Sequence, residues 1–149
     1  SWNSRNKGSL ILTGPENVSL KVRNSSGTLA VDKVTAAETS LQVTSGKIIA
    51  TNIGGDLYLG ATSGNLEVNG VSGNLKARLT SGNALINQVN GDLDYESTSG
   101  SLDANGVNGT LSASFTSGNA KLNNIGTLGK LQFTSGNVRA TLAGLGSQT

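Results

Sequence analysis

At 149 residues the chain can form one ordinary domain or a short repeat array; it is 35% apolar and has 21 glycines against a single proline. Its 11 basic and 9 acidic residues leave a net charge of +2 with no basic stripe, and only 3% of residues are aromatic, which argues against a nucleic-acid partner. Cysteine and histidine are absent, which excludes disulfides, thiolate metal sites and Ser/Cys–His catalysis, and no apolar run reaches the roughly 18 residues of a membrane span.

The chain opens irregularly. Gly8 to Ser25 reads as a degenerate first coil around the lone Pro15, and Ser26-Gly27 to Thr44 carries one residue more than the units that follow. From there a strict period takes over. Thr-Ser-Gly stands at Thr44, Thr62, Thr80, Thr98, Thr116 and Thr134, each eighteen residues from the last. A fixed period of this kind marks a chain that winds through one structural unit per repeat and stacks the units.

Counting from the Ser of each triplet, the apolar residues keep fixed places. Positions four and six hold Leu66 and Val68, then Ala84 and Ile86, Leu102 and Ala104, Ala120 and Leu122, Val138 and Ala140. Position nine holds Ile53, Val71, Val89, Val107 and Ile125. Positions thirteen, fifteen and seventeen hold Leu57, Leu59 and Ala61, then Leu75, Ala77 and Leu79, then Leu111, Ala113 and Phe115. A spacing of two is the strand signature, with alternate side chains on one face. Glu67, Lys76, Arg78, Asp94, Glu96, Asp103, Lys121 and Arg139 fall between these places and belong outside, while Tyr95 belongs inside.

The runs are three to six residues long and cannot form a stable sheet alone. Stacking each on its equivalent in the next repeat, about 4.8 Å away, satisfies the backbone and fills the interior with columns such as Leu57, Leu75, Leu93 and Leu111. The pattern therefore predicts an all-β fold, a single-stranded parallel β-solenoid (β-helix) with 18 residues per coil and seven to eight coils. The coil is expected to be right-handed, as parallel crossovers are. Residues 1–149 form one domain in this reading: 8–25 the irregular first coil, 26–140 the regular repeats and 141–149 a C-terminal tail.

The expected turn residues form files. Gly46, Gly64, Gly82, Gly100, Gly118 and Gly136 follow the Ser and suit a tight or left-handed turn. Asn65, Asn83, Asn119 and Asn137 come next and also tolerate the left-handed region. Gly55, Gly73, Gly91 and Gly109 suit the opposite corner, and Asn69, Asn87, Asn105 and Asn123 suit a hydrogen-bonded ladder. The register places Lys76 beside Asp94, Arg78 beside Glu96 and Asp103 beside Lys121, with opposite signs in each pair. Thr127 and Gly129 break the pattern near the end, where Leu128 and Leu131 are expected to re-form the core with a bulge or a shifted corner. Open terminal coils expose unpaired backbone and invite self-association.

The run TSGNLEVNGVSGNLKARLTSGN, residues 62–83, resembles a bacterial family of β-strand repeat domains described as adhesins and marked by Ser-Gly-Asp/Asn-aliphatic half-repeats. The resemblance covers residues 26–140. It implies a secreted or cell-surface β-solenoid, extracellular or in the bacterial cell envelope, with no catalytic residues to carry over. Asn often replaces the family's Asp here.

Enzyme and ligand chemistries are weaker readings. Gly54-Gly55-Asp56 and Gly91-Asp92 do not form the stacked Gly-x-Asp files of a calcium-binding roll. Asp92, Asp94, Glu96 and Asp103 gather acid on neighbouring coils, as a glycan-cleaving β-helix would, but the opposing cations favour a salt-bridged surface. The Thr file is a single column, short of an ice-binding array. A glycan face needs exposed aromatics, and only Trp2 and Tyr58 are candidates. The expectation is a non-catalytic structural or adhesive module with no cofactor and no metal, able to self-associate through its ends. A cell-surface or glycan partner is compatible, and the alternative is a carbohydrate-binding or carbohydrate-cleaving β-helix.

Overall fold

A computed structural model describes residues 7–13, 19–34 and 38–142, with side chains described from residue 27 to residue 141. Trp2 lies outside the described residues, as does the tail from residue 143 onward. Six strands form one sheet in chain order: β1 (Lys7–Thr13), β2 (Ser19–Val34), β3 (Glu38–Ile53), β4 (Asp56–Val71), β5 (Leu75–Val89) and β6 (Leu93–Leu142). Each strand from β1 to β5 pairs in parallel with its successor, so the sheet coils into a β-solenoid. No helix among the described residues is long and apolar enough to cross a membrane.

The register obeys the repeat. Leu57 pairs with Leu75 and Leu75 with Leu93, each eighteen residues on. The earlier turns are longer: Ser26 pairs with Ser45 and Lys7 with Ser26, nineteen residues apart. Two turns therefore carry the extra residue, where one was expected. In the second it falls between Val34 and Glu38, because Val34 pairs with Ile53 but Glu38 pairs with Asp56.

Two expectations need correction. The strands are not three to six residues long; β2, β3 and β4 have 16 residues each. The Thr-Ser-Gly corner does not interrupt the ladder, because every coil bends at the same residues. Ser45 pairs with Ser63 and Gly46 with Gly64, and only the Thr between strand and corner is skipped. The second correction is the count of seven to eight coils, which the pairing does not match. The long pairings from β2 to β6 describe about four turns. From Leu93 on the chain is one 50-residue strand, β6, whose first part pairs with β5 as far as Val107.

The interior is a set of columns. Leu57, Leu75, Leu93 and Leu111 are all buried, and Ile53, Val71, Val89, Val107 and Ile125 form a second file. Two neighbouring columns trade volume within each coil. The coil holding Ala77 has Leu79, the coil holding Tyr95 has Ser97, and the coil holding Ala113 has Phe115, all buried. Small beside large keeps the cross-section constant, which lets layers stack without voids. Tyr95 is only 1% exposed. Its hydroxyl closes no hydrogen bond, and Ser97 Oγ instead donates to the Ser99 carbonyl at 3.1 Å. Toward the end of β6 the core thins: Leu128, Leu131 and Val138 are partly buried, and Phe133 stacks on Phe115 at 5.2 Å between ring centres. Ala140, expected inside, is exposed, because no described coil lies above it.

Candidate functional site

The corners determine where functional side chains can stand. Gly46, Gly64, Gly82, Gly100, Gly118 and Gly136 all have φ between +126° and +150°. A Cβ at Gly64 would overlap the carbonyl oxygen of Gly46, and one at Gly82 that of Gly64, so the corner packs backbone directly on backbone. Asn65, Asn83, Asn119 and Asn137 sit just after these glycines, exposed, and are not among the residues of positive φ. Asn137 Nδ2 donates to Asn119 Oδ1 at 3.4 Å.

A second column of positive φ lies further along each coil. Lys33, Asn52, Gly70, Gln88, Gly106 and Asn124 occupy position eight, and all have positive φ. Sequence reasoning missed this column. Its signal was Asn69-Gly70 and Asn105-Gly106, a dipeptide that marks turns. Immediately before it runs the asparagine ladder: Asn87 Nδ2 donates to Asn69 Oδ1 at 2.9 Å, Asn105 to Asn87 at 3.1 Å, and Asn123 to Asn105 at 2.9 Å. Asn87 and Asn105 each both donate and accept, so the ladder ties one coil to the next.

A further file, also missed, lies at position twelve. Asp56 Oδ1 accepts from the Asn74 backbone N–H at 2.9 Å, Asn74 Oδ1 from Asp92 N–H at 2.8 Å, and Asp92 Oδ1 from Thr110 N–H at 2.8 Å. These side chains satisfy backbone donors where the ladder breaks. Asp56 and Asp92, the aspartates weighed and set aside for a calcium roll, are thereby engaged with the backbone.

The outward strip of positions fourteen to eighteen carries the densest chemistry. Arg78 Nη2 lies 3.0 Å from Glu96 Oε1 and its Nε donates to the same oxygen at 3.1 Å. Lys76 and Asp94 are paired in register but form no ion pair within 4.0 Å; the Lys76 ammonium stands 5.9 Å from the ring centre of Tyr58 instead. Asp103 likewise turns from Lys121 and accepts from Asn105 Nδ2 at 3.1 Å. The acidic cluster is thus divided: Asp92 holds a backbone N–H, Glu96 an arginine and Asp103 an amide. Tyr58 stands 45% exposed on this strip beside Gly60, where the file between Gln42 and Arg78 has no side chain. On another face Lys47 and Glu67 pair at 3.6 Å.

Comparison with known families matches the chain to Toastrack DUF4097 over residues 2–148. The chain belongs to the Toastrack DUF4097 family. Toastrack membership agrees with a β-repeat domain, but the adhesin description attached to the sequence resemblance does not come with it. No curated protein matches the chain. No solved structure matches it.

Proposed function

We propose that this Toastrack domain is a non-catalytic structural module, a stiff β-solenoid rod or spacer displayed outside the cell or in the bacterial envelope. One observation carries the reading: core columns, asparagine ladder and corner glycines repeat in the same eighteen-residue register from coil to coil. Such a stack resists bending and shear, because sliding one coil breaks every column at once. In this reading Gly46, Gly64, Gly82, Gly100, Gly118, Gly136, Asn65, Asn83, Asn119 and Asn137 shape the turns and contact no ligand. The coil is right-handed, and its terminal coils associate end to end. Electron micrographs and sedimentation at rising concentration test this. Rods lengthening by whole domains support it. A protein that cleaves a polysaccharide, and loses that activity in Asp94→Ala and Glu96→Ala, overturns it.

A second reading, a carbohydrate-binding β-helix, is favoured by the exposed Tyr58 on the outward strip.

A further inference from the structure

We propose that the strip around Tyr58 and Gly60 is a subsite for a neutral polysaccharide, a chain of hexose or pentose units without uronates; this rests on the carbohydrate-binding reading and not on the structural one. Two outward files run side by side here, Ser40, Tyr58, Lys76 and Asp94 in one, Gln42, Gly60, Arg78 and Glu96 in the other. Coils lie about 4.8 Å apart and residues two apart along a strand about 6.6 Å, so the files form a grid at the scale of a sugar ring.

Gly60 interrupts that grid, and the backbone does not demand a glycine there. Its φ is not positive, and an added Cβ would meet nothing nearer than Gln42 Cγ at 3.6 Å. The corner glycines are in the opposite situation, with backbone in the way. The missing side chain leaves a notch between Gln42 and Arg78, and Tyr58 borders it. Arg78 stands at the rim with its Nε and Nη2 turned to Glu96 Oε1, and its remaining N–H groups can donate to a ligand. The Lys76 ammonium stands 5.9 Å from the Tyr58 ring centre, near the limit of a cation–π interaction, so a ligand at that ring face replaces only a weak contact.

The ligand class follows from these groups. A sugar ring presents polarised C–H bonds on one face, and an aromatic face attracts them through its negative quadrupole. Its hydroxyls both donate and accept. Gln42 does both, Arg78 and Lys76 donate, and Asp94 and Glu96 accept. Two cations and two carboxylates cancel within the strip, so neither an anionic nor a cationic chain gains a net attraction.

Affinity electrophoresis in gels containing dextran, galactomannan, xyloglucan or polygalacturonate tests the site. The expected result is retardation of the parent protein in at least one neutral gel. Tyr58→Ala and Gly60→Gln, which fills the notch, each weaken it about tenfold, while Lys121→Ala on the other face does not. Circular dichroism confirms that all the variants fold. Retardation of the parent that survives both substitutions overturns this subsite and leaves the carbohydrate-binding reading standing. Retardation by polygalacturonate alone overturns the neutral ligand. No retardation in any gel overturns the subsite and the reading beneath it.

Discussion

Replacing Gly82 by alanine tests the stacking at its tightest point. Gly82 has φ +129°, where an L side chain costs about 1–3 kcal/mol of backbone strain. The new Cβ would overlap the Gly64 carbonyl oxygen and stand 2.8 Å from its carbon and 3.0 Å from the Gly64 nitrogen. Both sides of that contact are main chain, so no flexible side chain can swing away. Gly82 is paired with Gly64 below and Gly100 above, and parting two coils here weakens neighbouring ladder bonds worth about 1 kcal/mol each. Together the loss is about 3–5 kcal/mol, a large share of the roughly 5–15 kcal/mol that holds a domain folded. Gly60→Ala is the control. Its Cβ meets only Gln42 Cγ, at 3.6 Å, so stability stays within about 0.5 kcal/mol or rises slightly. Urea unfolding followed by circular dichroism measures both. If Gly82→Ala keeps the parent midpoint, or Gly60→Ala falls as far as Gly82→Ala, backbone-on-backbone packing is not what the corner glycines provide.

Three further outcomes follow from single contacts. Asn87→Ala breaks two rungs and leaves the half-buried Asn69 Oδ1 without its partner, while Asn105 Nδ2 keeps Asp103, so urea titration should show a loss of about 1–2 kcal/mol, while Asn83→Ala on the exposed corner should change little. Arg78→Gln removes an ion pair whose side chains are 79% and 57% exposed; the expected cost is under about 1 kcal/mol and should vanish at high salt. Tyr95→Phe removes a buried hydroxyl with no hydrogen bond and should raise stability by about 1 kcal/mol; a clear loss would reveal a partner for that hydroxyl. Burial also pushes the Tyr95 pKa above 10.0, an effect that the nearby Ser97 side chain partly opposes. The unfolded chain therefore releases this proton first. The stability tied to the neutral phenol is complete below pH 10.0 and is lost as pH rises through the folded value, so Tyr95→Phe should lessen the alkaline fall seen by urea titration.

The eighteen-residue period carried most of the fold by itself. Alternation of two within each run determined which residues face inward, because strand side chains alternate whatever surrounds them. The recurrence of Thr-Ser-Gly determined that Leu75 lies between Leu57 and Leu93, because a fixed period sets equivalent residues of successive coils side by side in one parallel ladder. The asparagine file from Asn69 to Asn123 was legible for the same reason: identical amides one coil apart can pair.

What the repeat could not convey was how each corner is made. Asn65 and Asn52 are the same residue type, yet only Asn52 takes positive φ, because the angle depends on how the chain must turn to keep both neighbouring strands in register. Sequence spacing placed Lys76 against Asp94, but three dimensions offered the lysine an aromatic ring one coil away, and a long exposed side chain takes the contact it can reach. The character of Gly60 was equally hidden. A glycine forced by a carbonyl in its path and a glycine beside an open notch look alike in a sequence, and only the distance to the neighbouring coil tells them apart.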